Sequence, residues 1–134
     1  LYAEAGGRVI ACVGGTDMRA ERRALDMGAH VVVGTPGRLR DHIERGGLDL
    51  SGLKAVVLDE ADEMLDMGFR EELEAILDAT PAERRTLLFS ATIPREIAAL
   101  AKRYQRPGAQ RIAATTEGEA HGDIEYRAVA VAPR

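Results

Sequence analysis

The feature of this sequence that most constrains its fold is the alternation of short apolar runs with amphipathic helical stretches. Four runs have the β-branched, apolar character of strands, and each is followed by a segment with helical spacing. The predicted strands cover residues 8–13, 30–33, 53–58 and 86–89, and a short fifth strand is expected near 111–114. Strands that alternate with helices form right-handed βαβ crossovers and a parallel sheet. The sequence therefore predicts an α/β fold of three layers, with helices on both faces of a parallel sheet.

The predicted helices are bounded by glycine and proline. Residues 18–27 and 36–45 have helical character, and a glycine directly follows each segment. Apolar residues recur at positions i, i+4, i+7 and i+8 over residues 69–77, which predicts a helix with one apolar stripe. Pro94 suits the first turn of a last helix. These four helices are the crossovers that the parallel sheet requires.

The length of the chain limits the size of its core, and its cysteine content indicates a reducing compartment. The chain has 134 residues, of which 46% are hydrophobic, and this is enough for one domain with a buried core. No stretch approaches the roughly 20 consecutive apolar residues of a membrane helix, so no membrane association is expected. Cys12 is the single cysteine, so no disulfide forms within the chain. We therefore expect a cytoplasmic protein.

Charge and aromatic content limit how the chain could bind nucleic acid. The net charge of −4 argues against binding through a broadly positive surface. Aromatic residues make up 4% of the chain, so stacking platforms for bases are not expected. Local contacts to phosphates remain compatible with this composition.

Acidic side chains crowd the end of the third predicted strand. In the segment VVLDEADEML, four acids follow an apolar run. Ligands of open parallel sheets lie beyond the carboxyl ends of the strands, and carboxylates placed there bind Mg²⁺ and polarise an attacking water. The alternative is that the acids begin a helix, whose N-terminal dipole favours negative charge. For Asp59 and Glu60 alone, both interpretations stay open.

Two hydroxyl side chains follow the fourth predicted strand. Ser90 and Thr92 lie in the segment TLLFSATIP, directly before the helix expected at Pro94. Their hydroxyls reach Asp62 if the third and fourth strands are neighbours. Ordinary capping of the following helix is the alternative. The pair of strand ends, Asp-Glu-Ala-Asp and Ser-Ala-Thr, is more specific than either segment alone.

Glycines follow the first and second predicted strands. Gly14 and Gly15 end the first strand, and the segment Thr-Pro-Gly-Arg, which contains Thr35, Gly37 and Arg38, ends the second. Tight turns and capping of a helix by Thr35 would explain both segments. The functional alternative is that free backbone amides, with Arg38 nearby, bind a phosphate.

Taken together, the ordered segments GG, TPGR, DEAD and SAT resemble the first RecA-like domain of the DEAD-box RNA helicases, most closely the bacterial members. The resemblance implies a RecA-like parallel sheet of the P-loop NTPase superfamily over residues 1–114. It further implies an interdomain linker over residues 115–122 and the first strand of a second RecA-like domain over residues 123–134.

The resemblance also implies roles for individual residues. Asp59 would coordinate the Mg²⁺ of bound ATP, and Glu60 would orient and activate the attacking water. Asp62 would couple to Ser90 and Thr92, and so link the nucleotide site to the RNA site. The residues that would contact the sugar-phosphate backbone of one RNA strand, without reading bases, are Gly14, Gly15, Thr35, Gly37 and Arg38.

One expected segment of such a domain is not found in the sequence. A phosphate-binding loop needs the pattern G-x-x-x-x-G-K-[ST], and Lys54 and Lys102 follow Leu53 and Ala101 instead. We therefore expect an N-terminally truncated RecA-like domain that has the missing P-loop segment and a second RecA-like domain as partners. Alone, the chain is expected to bind no ATP, to be inactive, and to be poorly stable or to associate.

Three functions are consistent with these residues. The first is a partial motor domain of an ATP-dependent RNA helicase, which couples ATP binding and hydrolysis to local duplex unwinding or remodelling of RNA–protein complexes. The second is a non-enzymatic RNA-binding or interaction module on a RecA-like scaffold that lost its P-loop. The third is a DNA helicase or another RecA-like motor. The four ordered segments favour the first.

Overall fold

The structure is a computed structural model that describes residues 6–113. Within that range the chain forms four strands and five helices, which alternate except that α3 and α4 follow each other directly. Strands β1 to β4 span Val9–Cys12, Val31–Gly34, Ala55–Leu58 and Arg85–Leu88. Helices α1 to α5 span Met18–Asp26, Pro36–Glu44, Ala61–Asp66, Arg70–Asp78 and Arg95–Tyr104. The predicted linker and the strand over residues 123–134 lie outside the described residues.

All strand pairing in the described part is parallel, as the alternation predicts. Strand β1 pairs with β2, so that Val9 lies opposite Val31, and β3 pairs with β4, so that Ala55 lies opposite Arg85. Over residues 6–113 the strands therefore form two separate two-stranded sheets rather than one continuous sheet. Each strand keeps one edge without a described partner.

The fifth predicted strand is not formed over residues 111–113, and residue 114 lies outside the described range. Among residues 6–113 no strand pairs with this segment, and Ile112 is 88% exposed. By contrast, α3 is the helix that the alternative interpretation of the acids expects. It begins directly after Glu60 and carries Asp62 and Glu63 in its first turn, where the dipole favours acids. None of the helices in the described range is long and apolar enough to cross a membrane.

The main apolar core lies around β3, β4 and the three helices that follow β3. Its buried members are Leu58, Ala61, Leu73, Leu77, Ile97 and Leu100. The spacing of Leu73 and Leu77 on α4, and of Ile97 and Leu100 on α5, places each pair on one face of its helix. This core holds the end of β3 and the start of α3 in place, and these are the elements that carry the four acids.

A second, more polar packing region lies around β1, β2, α1 and α2. Ile10 and Cys12 of β1 are buried there, together with Glu21 of α1 and His42 of α2. Buried charged groups need hydrogen-bonding partners. The two polar side chains therefore indicate a specific polar contact in this region rather than purely hydrophobic packing. Helix α2 also packs against α4, which connects this region to the main core.

Gly34, the last residue of β2, is required by the close packing around it. A Cβ at this position would lie 2.5 Å from the carbonyl oxygen of Cys12 and 2.8 Å from Cδ2 of Leu39. We expect Gly34→Ala to destabilise the fold by roughly 1–3 kcal/mol, because backbone and side chain would both have to shift. An added Cβ at Gly52 would meet no atom within 4 Å, so Gly52→Ala is the matched control. Equal unfolding temperatures of the two variants would contradict this prediction.

Candidate functional site

Two acids lie exposed at the carboxyl end of β3. The backbone N–H of Glu60 donates a hydrogen bond to Oδ1 of Asp59 over 3.0 Å. Within residues 6–113, neither Asp59 nor Glu60 forms an ion pair shorter than 4 Å. Carboxylate oxygens are among the ligands that Mg²⁺ prefers. The pair therefore fits a Mg²⁺ ion and its waters.

Glu60 has a left-handed backbone, with φ of 50° and ψ of 47°, and is the one non-glycine residue of the described range with positive φ. This conformation costs about 1–2 kcal/mol for a residue with a Cβ. Phe89 fixes it from both sides, because its N–H donates to the carbonyl of Leu58 over 2.8 Å and its carbonyl accepts from Ala61 over 3.0 Å. Strain that neighbouring contacts hold in place is typical of functional positions.

Asp62 lies at the centre of a hydrogen-bond network between the starts of two turns. Its Oδ2 accepts from the backbone N–H of Thr92 over 2.8 Å and from the Thr92 hydroxyl over 2.7 Å. Its own N–H donates to Oγ of Ser90 over 3.2 Å, and the Ser90 hydroxyl donates to the carbonyl of Thr92 over 2.7 Å. The structure thus brings together all three residues for which the sequence predicts contact.

The Asp62 carboxylate is stabilised in its charged form. The hydrogen bond from the Thr92 hydroxyl is the largest cause that lowers its pKa, and it outweighs burial, which acts in the opposite direction. Backbone N–H groups of Thr92 and Glu63 and the Ser90 hydroxyl lower the pKa further. Asp62 is therefore ionised at neutral pH, although only 8% of the residue is exposed.

The glycine-containing turns after β1 and β2 present open backbone. A Cβ at Gly14, Gly15 or Gly37 would meet no atom within 4 Å. Thr35 occupies the N-cap position of α2, but its side chain makes no capping hydrogen bond, so the capping interpretation does not hold. The first turn of α2 therefore begins without a side-chain cap.

The side chain of Arg38 makes its contacts with other residues of this chain. Its Nη2 donates to the carbonyl of Thr16 over 3.1 Å, and its Nε lies 3.7 Å from Oε2 of Glu21. The side chain is 15% exposed. Arg38 therefore connects the turn after β2 to the turn after β1, a contact that sequence patterns do not reveal.

Glu21 and His42 form a buried contact that the sequence analysis does not predict. Their side chains lie 2.6 Å apart, between Oε2 and Nε2, and both are buried. Burial alone would raise the pKa of Glu21, but hydrogen bonds from His42 and Thr16 and the charge of Arg38 outweigh it and lower the pKa. The residues are 21 positions apart, so no local spacing indicates the contact.

Solved structures are similar to this chain in fold. A crystal structure of a DEAD box protein from the hyperthermophile Methanococcus jannaschii matches with a TM-score of 0.70 and 51% identity, over 73% of this chain and 27% of that one. The yeast DEAD-box splicing factor Prp28 matches with a TM-score of 0.70 and 35% identity, over 75% of this chain and 23% of that one. Parallel strands with acids and hydroxyls at their ends thus define this chain as part of a RecA-like α/β domain.

The chain belongs to the DEAD/DEAH box helicase family, whose sequence profile matches residues 1–100. The DEAD-box ATP-dependent RNA helicase CshA of Geobacillus kaustophilus is 58% identical over 97 residues, which are 72% of this chain and 21% of the relative. The ATP-dependent RNA helicase DeaD of Haemophilus influenzae is 50% identical over 103 residues, 77% of this chain and 17% of the relative. The chain spans about a fifth of the length of these curated relatives.

Proposed function

We propose that this chain is part of an ATP-dependent RNA helicase that couples ATP binding and hydrolysis to local RNA unwinding or remodelling. The observation that carries the proposal is the network of Asp62 with Ser90 and Thr92, which joins the acids after β3 to the turn after β4. Because the contact is buried and charged, a conformational change at either turn alters the energy of the other turn. Family membership and the named relatives support the same assignment.

In this proposal the nucleotide chemistry belongs to the acids after β3. Asp59 would hold the Mg²⁺ ion, and Glu60 orients the attacking water and accepts its proton. The Mg²⁺ ion, when bound with ATP, neutralises charge on the transferring phosphate. The pattern G-x-x-x-x-G-K-[ST] is absent from the chain, so we further propose that the chain alone does not hydrolyse ATP.

The RNA side of the proposed function belongs to the turns after β1 and β2. Open backbone at Gly14, Gly15 and Gly37 allows a phosphate to approach the amides closely. Thr35 and Arg38 lie in the same turns. Contacts of this kind carry no base sequence and need no basic surface, which agrees with the net charge of −4.

ATP hydrolysis by the full-length protein that contains this chain tests the assignment. We expect a strand of RNA to stimulate hydrolysis, and a DNA strand of matched sequence to stimulate it much less. Equal stimulation by DNA would favour another RecA-like motor. RNA binding without hydrolysis would favour the non-enzymatic module.

Replacing Gly37 tests its role in RNA binding without lowering the stability of the fold. Gly37 lies inside α2, and an added Cβ there would meet no atom within 4 Å, so Gly37→Ala should leave the unfolding temperature unchanged or slightly raised. A methyl group on this surface would push a bound phosphate away from the amides, and we expect RNA affinity to fall about tenfold, the value of one charged hydrogen bond. Gly52→Ala, equally free of contacts, should change neither. Undiminished RNA affinity of Gly37→Ala, measured by fluorescence anisotropy, would remove Gly37 from the interface.

A further inference from the structure

The buried carboxylate of Glu21 contacts both turns to which the proposed function assigns RNA binding. Its Oε1 accepts a hydrogen bond from the Thr16 hydroxyl, directly after Gly14 and Gly15. Its Oε2 lies 3.7 Å from Nε of Arg38, which ends the segment after β2. Arg38 and Thr16 also contact each other, through Nη2 and the Thr16 carbonyl over 3.1 Å. The three residues therefore form a closed ring across the two turns, which we call the Glu21 clasp.

His42 completes the surroundings of the carboxylate. Its Nε2 lies 2.6 Å from Oε2 of Glu21, and because an ionised carboxylate only accepts, Nε2 carries the proton. Gly47 lies behind the ring, where an added Cβ would be 3.3 Å from Nδ1 of His42. His42 is 1% exposed, so Glu21 is held from the interior and offers its charge toward the two turns.

A metal site is the alternative for this cluster, and the geometry argues against it. Cys12, Glu21 and His42 each offer a ligand atom, and these atoms lie within 4.8 Å of one another. Both oxygens of Glu21 already accept hydrogen bonds, and the guanidinium of Arg38 repels a cation. Burial, followed by the charge of Glu21, raises the pKa of the Cys12 thiol, which disfavours the thiolate that a metal would need.

We propose that Glu21 is a positioning residue for RNA binding, which acts through Arg38 and Thr16 to hold the turns after β1 and β2 in the spacing that a sugar-phosphate backbone requires. The inference rests on the proposed function and adds a residue that is remote from the exposed turns in sequence and buried beneath them. Without the carboxylate charge Arg38 is no longer held in place. The two turns are then less ordered before RNA binds, and they lose more conformational entropy when it binds.

A double-mutant cycle in the full-length protein tests the clasp. Glu21→Gln keeps the shape of the side chain and removes the charge that attracts Arg38. We expect the KM for RNA in ATP hydrolysis to rise roughly three- to tenfold, whereas kcat at saturating RNA changes less than about twofold. If Glu21 acts through Arg38, the double variant with Arg38→Ala has the same KM as Arg38→Ala alone. A purely structural role predicts additive effects instead.

Two further variants serve as a control and as a second test of this interpretation. Glu72→Gln is the matched control, because Glu72 makes an ion pair of similar length, 3.6 Å, with Arg40 on α2 away from the turns, and the KM for RNA should not change. Thr16→Val removes the hydroxyl that contacts both Glu21 and the carbonyl of Val13, and it lies on an exposed turn, so it tests the clasp if Glu21→Gln fails to fold. The clasp is supported if Thr16→Val raises the KM for RNA but causes no further rise in a variant that also carries Arg38→Ala.

Several results would overturn the inference. They are an unchanged KM for RNA in both Glu21→Gln and Thr16→Val, additive effects with Arg38→Ala, or tight binding of Zn²⁺ alone that Glu21→Gln abolishes. Each leaves the proposed function intact as long as RNA stimulates the unsubstituted protein. If RNA does not stimulate that protein at all, the proposed function fails and the inference fails with it.

Discussion

Glu60→Gln should reduce RNA-stimulated ATP hydrolysis by about 10²- to 10⁴-fold, the usual contribution of a general base. Glutamine keeps the size and hydrogen-bonding reach of the side chain but does not accept a proton. The backbone of residue 60 is held in its left-handed conformation by Phe89 on both sides, so the substitution should leave the position of the side chain unchanged. We therefore expect the affinity for ATP to stay within about threefold of the original.

The measurement is steady-state hydrolysis with saturating RNA, together with equilibrium binding of a fluorescent ATP analogue, both on the full-length protein. Glu63→Gln is the matched control, because Glu63 lies three residues further along the chain, is exposed, and is in the first turn of α3. Its hydrolysis rate should stay within about twofold of the original. Undiminished turnover by Glu60→Gln would remove Glu60 from the reaction and transfer the role of base to another group.

The elements that the sequence predicts well are those with a strong local pattern. Helix α2 begins at Pro36 as expected, and α1 ends within one residue of the predicted end. Each strand lies within the predicted run or is shifted by one residue, since apolar β-branched runs between turns have few alternatives. The parallel pairing follows from the same alternation.

The features that the sequence does not reveal depend on contacts between distant residues. His42 is one of three scattered histidines, and its pairing with Glu21 appears only when α1 and α2 pack together. Arg84 lies in the bend directly before β4, yet only 6% of it is exposed, with its guanidinium 5.9 Å from the centre of the Tyr104 ring. Tertiary packing overrides local composition at both positions.

The acids after β3 illustrate why two interpretations of one segment need not exclude each other. The helix that the structural interpretation expects does form, and Asp62 and Glu63 lie in its first turn. Asp62 nevertheless turns its carboxylate to Thr92, while Asp59 and Glu60 precede the helix and stay exposed. The register between strand and helix, set by the strained backbone of Glu60, assigns each acid to a different environment.

Asp62→Asn should uncouple the two turns that this residue joins. The amide keeps one acceptor oxygen for Thr92, but it loses the charge that strengthens both hydrogen bonds. We expect the ratio of RNA-stimulated to basal ATP hydrolysis to fall at least about tenfold, a loss of about 1.4 kcal/mol of coupling. Asp66→Asn, on an exposed position of the same helix α3, should leave the ratio unchanged.

The loss of stability caused by Asp62→Asn should depend on pH in a defined direction. Because the folded protein lowers the pKa of Asp62, the ionised carboxylate adds stability above the pKa of the unfolded chain, which is about 4. That stability is lost as the pH falls below about 4 toward the lower folded pKa. The difference in urea-unfolding midpoint between the original protein and Asp62→Asn should therefore be constant near neutral pH and shrink in acid. A difference that grows on acidification would show that the Asp62 carboxylate does not hold the turn after β4 through its charge.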